Sequence, residues 1–218
     1  EVPEELFATV ISEYSAGDIV IDNADPILEV QTYDAIAIYA YSTGGNVTIN
    51  NQSTGSLQAV SSFSNAIGIY GYAADGSVDI NNEGDVFAAS FDGLADGIFA
   101  SGTDVDVSNS GDLTAISVSG GWAAGIEAQA TDLTTVHNEG NILASAEHGQ
   151  AFGIYATGGD VVVGNTGSIA AFGYYATGIE VRSTGDVSVD NSGDIVAGSI
   201  STYYNPYTYN TYVSGSAI

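Results

Sequence analysis

The chain has 218 residues, 44% hydrophobic and 13% charged, which allows one or two domains with a sizeable core and rules out a disordered acidic tail. Against 27 Asp plus Glu stands one Arg and no Lys, and the net charge of −26 argues against nucleic acid or an anionic membrane as partner and favours divalent cations. Cys and Met are absent, so no disulfide or thiolate metal site can form. No apolar run approaches the ~20 residues of a membrane helix, so no membrane insertion of this chain is expected. The first residue is Glu1 rather than Met, and no signal peptide is seen, which suggests a processed or trimmed product.

Residues 1–16 are read as an N-terminal edge or capping segment. In PEELFATVISEY (3–14), Leu6, Phe7, Val10, Ile11 and Tyr14 would line one helix face. The same stretch also fits a strand, and strand is favoured over helix.

Residues 17–200 form a repeat. A phrase V-x-V-x-N places its Asn at Asn23, Asn51, Asn82, Asn109, Asn138, Asn165 and Asn191, in steps of 28, 31, 27, 29, 27 and 26 residues. Five copies continue as N-x-G (Gly84, Gly111, Gly140, Gly167 and Gly193). A branched apolar residue follows at Ile27, Leu57, Val86, Leu113, Ile142, Ile169 and Ile195. A second phrase, A-x-G-I, gives Ile38, Ile69, Ile98, Ile126, Ile154 and Ile179, and Ala8-Thr9-Val10-Ile11 is a degenerate earlier copy. Two phrases locked to one period of about 28 residues are the signature of a repeat architecture. Each repeat holds three short alternating segments separated by Gly, Asn, Asp and Ser, which means three strands and three corners. The fold class predicted is all-β, a parallel β-solenoid of about seven coils. With coils ~4.8 Å apart, the rod would be roughly 30–35 Å long. A sandwich or antiparallel barrel would not repeat the same inward residue at the same phase.

Stacked Ile and Val columns make the core. The seven Asn, inward by parity, are expected to bond to backbone and to the Asn of the next coil, because an unpaired buried amide is costly. The following Gly is expected to take positive φ. After each Ile of the second phrase comes an outward column: Tyr39, Tyr70, Phe99, Glu127, Tyr155 and Glu180. Its aromatic members, Tyr39, Tyr70, Phe99 and Tyr155, are either cross-strand stacking or a contact surface for glycan or a partner.

Acids also stack. Asp79 lies over Asp106, Asp85 over Asp112, and Asp160 over Asp186. Such pairs repel unless a cation intervenes, so Asp79, Asp104, Asp106 and Asp112 are candidate Ca²⁺ ligands; no other cofactor is expected. A glycosidase would need a carboxylate pair at defined separation, and acids at exposed corners are expected in so acidic a chain. His137 and His148 read as isolated surface histidines. Residues 201–218 leave the repeat. Tyr203, Tyr204, Tyr207, Tyr209 and Tyr212 alternate with Thr and Asn, which favours an extended segment suited to self-association.

The stretches AFGIYATGGDVVVGNTGSIAA and ADGIFASGTDVDVSNSGDLTA resemble the glycine-rich repeats in passenger regions of bacterial autotransporters and related adhesin-type surface proteins. The resemblance covers roughly residues 8–200. It implies a right-handed β-helix displayed outside the cell, either an excised passenger or a free subunit. Lyases on β-helices generally need a basic residue, and Arg182 alone makes that activity a poor fit. The expectation is a non-enzymatic extracellular structural protein, a β-solenoid subunit of a cell-surface or matrix fibre assembling head to tail with itself. An adhesin binding a host or glycan ligand is the alternative, and a polysaccharide hydrolase a minority one.

Overall fold

The computed structural model describes residues 8–199, 201–205 and 210–214. Those residues contain strands and corners and no helix. The strands fall into three columns.

The first column carries the Asn phrase and runs through Ile19–Asn23, Val47–Asn51, Val78–Asn82, Val105–Asn109, Leu133–Asn138, Asp160–Asn165 and Val187–Asn191, paired in parallel in that order. The second begins at the branched residue, with Ile27–Gln31, Leu57–Ser61, Val86–Ser90 and Leu113–Ser117, then the first parts of Ile142–Gly158 and Ile169–Ser183, and ends at Ile195–Ser199. The third carries the Gly-Ile phrase: Ala8–Ser15, Ala35–Ser42, Ala66–Ala73, Ala95–Gly102 and Trp122–Ala130, then the last parts of the two long strands. The chain visits the columns in turn, and each visit pairs with the previous coil. This is a parallel β-solenoid of about seven coils.

Alternation explains the strands. In Val78–Asn82, Val78, Ile80 and Asn82 are buried while Asp79 and Asn81 are exposed. The buried residues of all three columns merge into one core along the axis, with Ile38, Ile49, Ile69, Ile80, Ile98 and Ile126 among those fully enclosed.

Two expectations change. Three corners per coil hold for the early coils, but Ile142–Gly158 and Ile169–Ser183 run through the corner between the second and third columns. In the first of these the register shifts between Ala146 and Gln150, so an irregularity in the strand replaces the turn, and the two columns become one 12-stranded sheet. The N-x-G glycines are not needed for positive φ, since none of the five has φ in the left-handed region. They are needed for close approach. A Cβ on Gly111 would lie 2.1 Å from the Gly84 carbonyl oxygen, and one on Gly140 would lie 2.0 Å from that of Gly111.

At the N-terminal end, Ala8–Ser15 is an edge strand in register with Ala35–Ser42, Ile11 facing Ile38. Residues 1–7 lie outside the described residues. At the other end the Tyr-rich segment folds on itself. Ser201–Asn205 pairs antiparallel with Asn210–Ser214, Tyr203 opposite Tyr212 and Tyr204 opposite Thr211. Tyr207 and Tyr209 lie outside the described residues.

Candidate functional site

The glycine of A-x-G-I shapes the outer surface of the third column. A Cβ on Gly68 would sit 2.1 Å from Val86 Cγ1, one on Gly125 2.2 Å from Ile142 Cγ2, and one on Gly153 2.1 Å from Ile169 Cγ2. The branched residue that opens each second-column strand therefore packs directly on this glycine. The strand register passes over it, from Asp96–Ala124 to Ile98–Ile126. With glycine and isoleucine both facing the core, the residue before the glycine turns outward. A lengthwise row follows: Ile36, Ile67, Asp96, Ala124 and Phe152, beside the row Tyr39, Tyr70, Phe99, Glu127 and Tyr155.

Between these rows, at the early coils, runs a groove of about 400 Å³ with Ile36 and Ile67 as floor, Tyr39 and Tyr70 as wall, and Ser12, Asp34 and Asn65 at its rim. The Asp34 carboxylate accepts from the Asn65 backbone N–H at 2.9 Å and from the Ser64 hydroxyl. The rings form two ladders. Tyr39, Tyr70 and Phe99 stack at 5.0 and 4.9 Å. Tyr14, Tyr41 and Tyr72 stack at 5.3 and 4.6 Å. Burial, aided by the neighbouring phenols Tyr39, Tyr41 and Tyr72, pushes the Tyr70 hydroxyl up to about 12; burial likewise raises Tyr39.

The outward column is interrupted at Glu127. Tyr155 is not continuous with the Tyr39 ladder, because Glu127 occupies the rung between it and Phe99. Tyr155 belongs to a second aromatic cluster. Trp122 packs on Phe152 at 4.6 Å and edge-on to Tyr155 at 5.3 Å, and the Arg182 guanidinium lies 5.4 Å over the Tyr155 ring. Arg182 also pairs with Glu180 at 2.7 Å.

Between the two aromatic groups sits a pair of acids. Asp96 is 1% exposed, and Glu127 is half-buried. Burial raises the Asp96 carboxyl well above the usual range and the Glu127 charge adds to it, while the Trp122 N–H and the Ala124 backbone oppose. Burial raises Glu127 as well, opposed by the Gln129 amide, which donates to Glu127 Oε1, and by Trp122. The indole N–H thus lies beside both carboxyls, yet it is not aligned as a hydrogen bond. Trp122 Nε1 and Asp96 Oδ1 are both buried and unpaired.

The four candidate calcium ligands are not gathered. Asp79 and Asp106 face each other on adjacent first-column strands, but Asp104 accepts from the Leu133 N–H at 3.3 Å and Asp112 from the Asn141 N–H at 3.1 Å, at separate corners. Among the described residues no group of three or more His, Cys, Asp and Glu could hold a metal ion. The corner pairs are bridged by backbone instead. Asp85 accepts from Asp112 N–H at 3.1 Å, and Asp160 from Asp186 N–H at 2.8 Å. Asp79 and Asp106 have no such bridge. Burial first and the Asp79 charge second raise Asp106, against the opposing pull of His137. His137 pairs with Glu139 at 3.0 Å, and His148 bonds the Val118 carbonyl at 3.3 Å.

The seven Asn stand in register. Each Nδ2 from Asn23 to Asn165 donates to Oδ1 of the next at 2.7–2.8 Å, and also to a backbone carbonyl of its own corner. At the last coil, Asn191 Nδ2 donates to Gly193 at 2.8 Å, and Val187 and Val189, core positions elsewhere, are 54% and 48% exposed. At the first coil, Glu29 takes the inward second-column place that Ala59 and Ala88 hold later, and its Oε1 accepts from Gln31 at 2.5 Å. An inward acid of this kind blunts a sheet edge, so that end carries a polar group on its second column.

Sequence reasoning placed Tyr14 only on a possible helix face and passed over Tyr41 and Tyr72, although I-Y-A-Y and I-Y-G-Y set these two residues beyond Tyr39 and Tyr70 with equal parity. It also passed over Asp96, the acid in a position that holds Ile36, Ile67, Ala124 and Phe152 in other coils.

Among known proteins, the family described as the BigA third pectate lyase-like domain matches residues 37–215. No match was found among curated proteins or among solved structures.

Proposed function

The chain belongs to the BigA third pectate lyase-like domain family, and on that basis we propose that it is a non-enzymatic, extracellular structural β-solenoid whose last coil docks a further copy head to tail. The observation that carries this is the C-terminal face: Val187, Val189 and Asn191 repeat the phrase of every buried coil and stand exposed. The first-column strand Ile19–Asn23 of a second copy has the same spacing, and since Ile19, Ile21 and Asn23 are only 4–5% exposed, docking there has to uncover them. Its Asn23 Oδ1, whose one contact among the described residues is the Asp25 N–H at 3.3 Å, would accept from Asn191. Glu29 confines the contact to this column. Such a heterologous contact propagates as a filament. The charge of −26 opposes it, so salt and divalent cations, Ca²⁺ included, would promote it by screening. The pectate lyase-like likeness concerns the fold. Asp96 is closed off from solvent, which disfavours a hydrolase built on the Asp96–Glu127 pair.

The test is particle size by light scattering and electron microscopy at high salt. The native chain should form long species, and Val189→Asp should remain single rods. A native chain that stays monomeric at high concentration in salt overturns the reading. The groove at Tyr39 and Tyr70 favours a second one, an adhesin holding an uncharged glycan against an aromatic wall. Tyr70→Ala would then abolish glycan retention without altering particle size.

A further inference from the structure

The outer groove is lined as far as Ile67 and Tyr70, and the two rows that form it continue beyond. The floor row continues from Ile67 through Asp96 and Ala124 to Phe152, and the wall row from Phe99 through Glu127 to Tyr155. Trp122 fills this middle stretch. It packs on Phe152 and Tyr155, and its buried N–H, which bears on both carboxyl groups, makes no hydrogen bond to either. The strand begins at Trp122 itself, and the segment before it is a loop ending in Gly120 and Gly121, where a side chain on Gly121 would meet no other atom within 4 Å. The ring is therefore held by Phe152 and Tyr155, and the loop before it is closely packed at Gly120, where a side chain would lie 2.0 Å from the Gly93 carbonyl oxygen, and open at Gly121.

We propose that Trp122 is a proton-controlled latch: one proton shared by Asp96 and Glu127 keeps the indole seated, and its loss releases the ring and joins the two aromatic stretches into one continuous groove. The geometry gives the reason. Two carboxyl groups that a single indole N–H lies beside cannot both be charged without water, and here one of them is closed off and has an unpaired oxygen. With the proton present, one group is a neutral acid. With it absent, hydration of Asp96 requires Trp122 to leave. The raised protonation range of both acids agrees with this.

The other groups around the pair do not supply the missing charge. Asp96 has Ile67 and Ala124 beside it in register, and Glu127 has Phe99 and Tyr155. Gln129 is neutral. Arg182 lies on the far side of Tyr155, already paired with Glu180, and His148 bonds the loop at Val118. Glu147 and His148 are the other ionisable groups on this segment, so Glu147→Gln and His148→Gln both serve as controls.

Trp122 is the chain's single Trp, and its fluorescence reports the latch directly. The full chain is titrated from about pH 4 to about pH 9, from the ordinary carboxylate range upward, with far-UV circular dichroism recorded in parallel. As pH rises, emission should move to the red and acrylamide quenching should increase severalfold while the circular dichroism stays constant. Binding of a neutral apolar dye should rise over the same range. Asp96→Asn and Glu127→Gln should each remove or displace the transition, and Glu147→Gln and His148→Gln should leave it in place. Should Asp96→Asn fail to fold, Glu127→Gln carries the test. Emission constant over the whole range in the native chain overturns the proposal, as does a transition unchanged in both Asp96→Asn and Glu127→Gln or one abolished by Glu147→Gln or His148→Gln alone.

Discussion

Asn109 Nδ2 donates to Asn138 Oδ1 at 2.8 Å and to the Gly111 carbonyl at 2.8 Å, while its own Oδ1 accepts from Asn82 at 2.7 Å. One buried side chain therefore satisfies three other polar groups. Asn109→Leu should strand an N–H of Asn82, the Gly111 carbonyl and Oδ1 of Asn138. At about 1–3 kcal/mol for each buried group left unpaired, the loss should be about 3 kcal/mol or more. Asn191→Leu, at the exposed end of the ladder, should cost far less. Urea unfolding of the two variants decides it, and equal midpoints would show the ladder to be dispensable.

This ladder was legible in the sequence because a parallel solenoid puts like residue over like, so period alone fixes register. Val86 over Leu57 and Ile98 over Ile69 follow from the same arithmetic. The outer groove was not legible, because strict alternation places the residue before the glycine on the same side as the isoleucine. The ladder is interrupted at Gly68, Gly97 and Gly125 without any change of register, and only the packing of the second-column branched residues on these glycines reveals the outward turn. No sequence pattern therefore singled out Asp96 or Trp122. The bridging of Asp85 to Asp112 depends on a backbone N–H, which no side-chain pattern records.

Gly125→Ala should destabilise the fifth coil. The added methyl would lie 2.2 Å from Ile142 Cγ2 and 2.7 Å from the Gly153 carbonyl oxygen. Overpacking of this kind typically costs about 1–3 kcal/mol. Ile142→Ala removes the first clash and costs stability through its own cavity, so the double variant should lose less than the sum of the two single losses. Simple additivity in chemical denaturation would place the clash elsewhere.

The Tyr70 hydroxyl should ionise late. Burial, then the charges its phenol neighbours acquire, push it up to about 12, against about 10 for a free phenol. The folded value is raised, so the stabilising contribution is complete below about pH 10 and is lost as pH rises through about 12. An ultraviolet titration of the native chain should show a late phenol that disappears in Tyr70→Phe. A single transition near the free-phenol value, unchanged in the variant, would contradict the stacked arrangement.

Asp79 and Asp106 face each other without a bridging N–H, and Asp106 is raised by its burial and by Asp79, with His137 opposing. The sign follows. The folded value exceeds the unfolded one, so the associated stability is fully present below the ordinary Asp range of about 4 and is lost as pH rises through the folded value. The Asp79 charge is one cause of the raise, so the contact is repulsive wherever Asp106 is ionised. Asp79→Asn should therefore raise the melting temperature at neutral pH and flatten its decline between mildly acid and neutral solution. Calcium should raise the native chain's melting temperature more than it raises that of Asp79→Asn, because part of its effect is relief of this one contact. Asp104→Asn should instead lower stability, since Asp104 accepts from the Leu133 N–H at its corner. The two substitutions remove equal charge, so opposite shifts separate local geometry from the general relief of net charge. If both variants move in the same direction by the same amount, net charge alone governs, and the Asp79–Asp106 contact has no energetic role of its own.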